Sequence, residues 1–258
     1  MKFRQIYCSV FIVMMLCSCN APIYNTTTLQ APLLNSKGDA EIEGSWAVLQ
    51  GPCFAGAYAI TDDLAVKGYA LFSNYGGNDS NSSIHQQAFE LGIGTYGFAF
   101  RKIPWEAYLM FMNATSNYNG PQTTQAGANF DITRIHSDFW RIALQADFMT
   151  NEVWVKDRKI FQGVYLDHAI GARISFVNFF HYHEVFHNDP YNVDVTDDKA
   201  PRLLCFEISS ITKYGSYPFF LQSEIGLSFP FVLNKEPYSL FGYSNPFVFS
   251  IGASLCFY

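Results

Sequence analysis

The chain has 258 residues, a formal charge of −6, 15% charged residues and 17% aromatic residues. Soluble domains carry about 25% charged residues, so this composition indicates a surface that is largely shielded from water. Beyond the N-terminal segment the sequence has no apolar run long enough for a membrane helix, which excludes a helical membrane protein. The acidic balance argues against a nucleic-acid partner. A transmembrane β-barrel fits, because only alternate residues of its strands face lipid.

The first residues have the layout of a secretory signal. Lys2 and Arg4 precede an apolar run at residues 6–16, which is too short to span a bilayer. Leu16-Cys17-Ser18-Cys19 resembles the lipobox of bacterial lipoproteins. We therefore predict a lipoprotein signal peptide at residues 1–18 and lipid attachment at Cys19, the alternative being an ordinary cleaved signal.

Residues 20–38 are polar, rich in turn-forming residues and without periodicity. They predict that residues 19–38 form a lipid-anchored periplasmic tether, followed by a barrel over residues 39–258. Apolar and polar residues then alternate with the period of two that is typical of strands. The pattern predicts an antiparallel up-and-down barrel of about ten strands, at 40–49, 53–61, 64–74, 85–101, 104–117, 129–149, 161–179, 201–213, 217–231 and 246–257. Twelve strands are the alternative, because residues 150–163 could hold an extra hairpin arm.

Short turns alternate with long polar stretches at residues 74–83, 117–128, 181–200 and 234–245. In outer-membrane barrels the short turns face the periplasm and the long loops face outside. One of these stretches contains H-E-x-x-H at residues 183–187, which binds catalytic zinc when both histidines lie on one helix face. It follows an aromatic strand and is followed at once by Asn188-Asp189-Pro190. We therefore predict an exposed loop with no metal, and His183 and His187 as weak metal candidates only.

The polar faces of the predicted strands carry charges that would point into the barrel. They are Lys67, Glu90, Glu106, Arg141, Asp147, Asp167, Arg173, Glu207 and Glu224. A barrel of about ten strands has a narrow interior filled largely by side chains, so these charges are expected to pair as braces across the lumen. A conduit for small solutes is the functional alternative. No catalytic residue is predicted, because adjacent Asp167 and His168 would point to opposite faces of a strand.

The C-terminal segment alternates strictly and ends in aromatic residues. Gly252, Leu255 and Phe257 follow a pattern that resembles the C-terminal signal read by the barrel-assembly machinery, displaced by the additional Tyr258. After the signal segment, three cysteines remain, Cys53, Cys205 and Cys256. We expect free thiols on the barrel wall, because an odd number cannot all pair within one chain.

The chain resembles a family of Bacteroidota lipid-anchored outer-membrane β-barrel proteins. The resemblance rests on Cys19, on "PLLNSKGDAEIEGSW", on "AYAITDDLAVKGYALFSN" and on "ARISFVNF" with the aromatic last strand. It implies an architecture but no chemistry, so we expect no enzyme and no cofactor. Because no acidic residue directly follows Cys19, the resemblance places the anchor on the periplasmic side.

The expected role is an accessory subunit or envelope scaffold in a larger outer-membrane complex. The alternatives are a narrow transport barrel for small solutes and, less favoured, a surface hydrolase. The expected partners are outer-membrane lipid, the barrel-assembly machinery during biogenesis and other subunits of such a complex.

Overall fold

The computed structural model describes residues 24, 27–32, 34–47, 50–75, 83–99, 103–123, 129–151, 165–188, 191–195, 200–234 and 247–257. Cys19 and the segment at residues 152–164 lie outside the described residues. Among the residues that are described, no helix is long and apolar enough to cross a bilayer.

The chain is all-β. Its strands are β1 (Ala40–Ala47), β2 (Gly51–Ala59), β3 (Leu64–Tyr75), β4 (Ser83–Ala99), β5 (Ile103–Thr123), β6 (Asn129–Asn151), β7 (Tyr165–Asn188), β8 (Tyr191–Val195), β9 (Arg202–Ser216), β10 (Phe219–Val232) and β11 (Phe247–Phe257). Each pairs antiparallel with its neighbours in the order β6-β5-β4-β3-β2-β1-β11-β10-β9-β7, and β6 also pairs with β7. The sheet therefore closes into a ten-stranded barrel, which confirms the predicted fold. The short β8 pairs with the end of β7 and lies outside the closed ring.

The alternating pattern of each strand produces an inner and an outer face. In β10, Glu224 and Ser228 are buried inside the barrel, whereas Ile225 points outward and is 64% exposed. Large apolar side chains are exposed on the outer face of all ten strands of the ring. The faces of β10 and β11 are those that the sequence predicts.

The two ends of the barrel differ. We call one the turn end, because it holds the start of β1, the end of β11 and the tight connections at residues 60–63 and 217–218. The opposite end, which we call the loop end, holds the connections between β1 and β2 and between β3 and β4. First and last strands meet along a seam in register from Ala40 opposite Phe257 to Ala47 opposite Ser250.

Several strands run further towards the loop end than the polar composition predicts. β5 continues to Thr123 and β7 to Asn188. The H-E-x-x-H motif at residues 183–187 therefore belongs to a strand, and the predicted loop is wrong. In a strand the two histidines are not one helical turn apart, so the geometry that a zincin requires is missing.

The N-terminal segment also departs from the prediction. Its described part, Tyr24, residues 27–32 and Leu34, which we call the plug segment, is buried by contacts with lumen side chains. It is not a tether outside the barrel. The plug segment leaves the lumen at the turn end through residues 35–39, where the carboxylate of Asp39 accepts hydrogen bonds from the amides of Asn35 and Ser36. Gly38 has a φ of +95°, which favours glycine, and its amide donates to the carbonyl of Ala59.

Candidate functional site: the filled lumen

The plug segment contacts Arg141 of β6, which is fully buried. The Arg141 guanidinium donates to the hydroxyl of Tyr24 at 2.6 Å and to Oγ1 of Thr27 at 2.7 Å. It also donates to Oε1 of Glu90 at 2.7 Å, so a salt bridge between β6 and β4 fixes its position. One guanidinium thus holds both the barrel wall and the plug segment.

A second buried pair lies beside it. Arg173 of β7 is directly opposite Glu207 of β9, and the two form a salt bridge. The Arg173 Nη2 donates to the main-chain carbonyl of Thr27 at 2.8 Å. The hydroxyl of Tyr24 donates to Oε1 of Glu207 at 3.4 Å, which links the two arginine pairs through the plug segment.

Two lysines bind the plug segment nearer the turn end. Lys67 donates to the carbonyl of Gln30 and lies 4.0 Å from the carboxylate of Asp147. Lys213 donates to the carbonyl of Ala31 at 2.8 Å and forms a salt bridge with Glu41. All four cations buried in the described lumen therefore donate to the plug segment.

The lumen also offers acceptors to the segment. Oε1 of Glu224 accepts a hydrogen bond from the amide of Leu29 at 2.9 Å, and the carboxylate is contacted from the other side by Ser250. Buried main-chain groups are costly when they lack partners. Side chains of the wall supply those partners here, in place of a neighbouring strand.

Apolar contacts fix the direction of the segment. Tyr24 packs edge-on against Phe139, with ring centroids 5.6 Å apart, in a cluster that includes Ala47 at the loop end of β1. Leu34, by contrast, packs with Ala59 and Tyr96 near the turn end. The plug segment therefore runs from the loop-end half of the lumen towards the turn end.

A small cavity lies beside the plug segment. Its volume is about 10 Å³, and it is lined by Gln30, Pro32, Glu41, Glu43 and residues 55–57. A cavity needs about 10–15 Å³ of such volume to hold one water molecule. This cavity is therefore too small for a solute larger than water.

Most of the predicted lumen charges meet in this arrangement. The structure buries eight of them, namely Lys67, Glu90, Glu106, Arg141, Asp147, Arg173, Glu207 and Glu224. Asp167 is only half-buried, near the turn end. Glu224 binds the plug segment and Ser250.

Three buried lumen charges were missed from the sequence, Glu41, Glu43 and Lys213. The alternation contained the signal, because Ile42 between the two glutamates points outward and Lys213 is in phase with Glu207.

The residues of the predicted C-terminal signal and the three cysteines belong to strands of the barrel wall. Leu255 and Phe257 point outward on β11. At Gly252 a Cβ atom would lie 2.5 Å from that of Ser45, so only glycine permits the close approach of β1 and β11 at the seam. Cys53, Cys205 and Cys256 are buried and form no disulfide in the described part of the chain.

The closed ring and its filled lumen define the class of the protein as an antiparallel β-barrel occupied by its own N-terminal segment. No family model and no curated protein matches the chain. Among solved structures, the chain is similar to the translocator domain of the autotransporter NalP from Neisseria meningitidis. The identity is 6%, the match covers 84% of this chain and 86% of the other, and the TM-score is 0.34. At that score the similarity carries no argument, so strand number and closure rest on the pairing described above.

Proposed function

We propose that the protein is an outer-membrane β-barrel that acts by interaction, as an accessory subunit or envelope scaffold, and not as an open channel. The outer face supports the membrane location. On β5 the exposed apolar side chains run from Ile103 to Phe111, and the next outward residue is Asn113. This stretch is about 27 Å along the strand, or about 21 Å along the barrel axis at a tilt of about 40°, close to the apolar band of about 25 Å in such barrels.

The observation that carries the proposal is the binding of all four buried lumen cations to the plug segment. A hydrogen bond to a charged group contributes about 1.5–3 kcal/mol. Removing the segment would leave these cations with fewer partners in a poorly solvated interior, so the filled state is favoured. A barrel closed in this way is suited to presenting surfaces to other proteins.

The strands beyond the apolar band supply such a surface. β7 continues from Asn178 to Asn188, roughly 34 Å of strand, and its outward residues there include His181 and His183. With β5 and β6 it forms a polar wall, which we call the collar, on one side of the loop end. The polar outer face of the collar supports contact with a partner outside the lipid.

Planar-bilayer recording of the purified full chain tests closure. We expect no steady conductance from the wild type. Transport of small solutes is the second candidate, favoured by the charged lumen, and steady ion conductance by the wild type would support it against our proposal.

Site-specific photocrosslinking in cells tests the interaction. A photoreactive residue in place of Asn119 or Arg134, both exposed on the collar, should give a discrete higher-mass adduct. The control replaces Leu91, which is 74% exposed within the apolar band, and should crosslink to lipid. Absence of a protein adduct at both collar sites would contradict the accessory-subunit proposal.

The lipid anchor at Cys19 belongs to the same proposal. Cys19 is five positions before Tyr24, a span of at most about 18 Å. Because Tyr24 packs in the loop-end half of the lumen, the segment's direction supports an anchor at the loop end, opposite to the side expected from the sequence. An epitope inserted after Ala21 should bind antibody on intact cells. Binding only after the outer membrane is permeabilised would return the anchor to the periplasmic side.

A further inference from the structure

The outer face of the collar carries a cluster of histidines around one carboxylate. Between β6 and β7 the register shifts at Asp138 and Phe139, because β7 has one additional residue there. This bulge directs both Phe180 and His181 outward.

The register brings four polar side chains together above the bulge. Asp138 is directly opposite His181, and His136 is directly opposite His183. The His136 and His181 side chains are 48% and 64% exposed, and that of Asp138 is 23% exposed. Three imidazoles and one carboxylate thus lie in two adjacent cross-strand pairs on the outer face of β6 and β7.

Hydrogen bonds around the patch orient its side chains. The amide oxygen of Asn117 lies 2.6 Å from Nδ1 of His136, and the other ring nitrogen, Nε2, lies on the side of Asp138. The hydroxyl of Thr115 donates to Oδ1 of Asp138 at 2.7 Å, and Oδ2 is within hydrogen-bond distance of Nδ1 of His181. Metal-binding histidines and carboxylates are commonly oriented by such partners.

We propose that His136, Asp138 and His181 bind a divalent first-row transition-metal ion such as Zn²⁺, with His183 or water as the fourth ligand. Imidazole and carboxylate ligands suit this class of ion. The Oδ2 of Asp138 lies 3.1 Å from Nδ1 of His181 and 3.9 Å from Nε2 of His136. Ligands of a tetrahedral zinc site at about 2.1 Å from the metal are about 3.4 Å apart, and the two distances from Oδ2 of Asp138 lie on either side of that spacing. A bound ion would take the place of the proton between Nδ1 of His181 and Oδ2 of Asp138.

The site is distinct from the H-E-x-x-H motif. His187 takes no part in it, and His183 contributes through its position opposite His136. In the described part of the chain no three such side chains already surround a common point, so binding of the metal would itself draw the ligands together.

The test uses the full chain without a polyhistidine tag, purified in detergent, treated with chelator and titrated with Zn²⁺ and Co²⁺. We expect one ion per chain, and Co²⁺ should give the intense visible absorption bands of a tetrahedral site. His136→Ala and Asp138→Asn should lose stoichiometric binding. Asn117→Ala should bind about 10- to 100-fold more weakly, because it removes only the group that orients His136.

His168→Ala is the matched control, because His168 lies near the turn end and contacts Thr212. It should bind as the wild type does, and folded-state gel migration checks every variant. Absence of binding in the wild type, or undiminished binding in His136→Ala and Asp138→Asn, would overturn the proposal. Loss of binding only on replacement of His187 would assign the metal to the sequence motif and would overturn it as well.

Discussion

Replacement of Arg141 by methionine should be among the most damaging single changes in the barrel. The guanidinium is fully buried and binds Glu90, Tyr24 and Thr27. Its loss leaves the Glu90 carboxylate buried without its cation, and breaking one side of a buried ion pair costs about 3–5 kcal/mol. We expect Arg141→Met to lower the free energy of unfolding by that amount.

A second variant separates the two tasks of this residue. In Arg141→Met with Glu90→Gln, the unpaired charge disappears but the contacts with the plug segment stay lost. We therefore expect partial recovery, with a remaining cost of about 1–3 kcal/mol for the missing hydrogen bonds. Urea unfolding in lipid vesicles, followed by tryptophan fluorescence, measures both variants.

Leu144→Met is the control, because Leu144 is on the same strand but points into the apolar band. It should stay close to the wild type. A cost for Arg141→Met below about 1 kcal/mol would refute the claim that this residue holds the lumen together. A double variant less stable than Arg141→Met would show that the charge of Glu90 is not the cause.

Three further predictions follow from the faces and the termini. Ile225→Arg should cost about 2–4 kcal/mol, as expected for a charge in the lipid-facing band, and Ile225→Leu should cost much less; heat-modifiable gel migration compares them, and an undiminished folded band for Ile225→Arg would mean that this residue does not face lipid. Cys19→Ser should abolish labelling by a fatty-acid analogue, and equal labelling of the variant would refute lipidation. The buried thiols of Cys53, Cys205 and Cys256 should resist a maleimide in the folded barrel and react after unfolding. Rapid reaction of the folded protein would contradict their burial.

The alternation of apolar and polar residues was enough to predict the ten-stranded barrel. A period of two identifies strands and their faces, as the outward Ile225 and the buried Glu224 illustrate. The alternation failed to identify strands where they extend beyond the lipid-facing band. Beyond the apolar band both faces of β7 can be polar, so residues around His183 have the composition of a loop although they pair as a strand.

The plug segment could not be predicted from local pattern for a different reason. Its partners are distant in sequence: Arg141 is 117 residues from Tyr24, and Glu224 is 195 residues from Leu29. Hydrogen bonds between an irregular segment and the barrel wall produce no periodic pattern in the sequence of that segment. The available hint was compositional, because Tyr24, Leu29 and Leu34 are large apolar residues in a stretch interpreted as a solvated tether.

The enclosed position of the plug segment constrains the order in which the molecule is made. The segment is synthesised first, but Lys213 and Glu224 belong to β9 and β10, which are synthesised near the end. Of the four cations that donate to the segment, a chain that ends before β9 contains Lys67, Arg141 and Arg173 but lacks Lys213. A sealed ring does not admit the segment sideways, so the segment either lies among the strands when β1 meets β11 or enters later through an end of the barrel. In the first case the seam is the last junction to form, and its closure encloses the N-terminal segment.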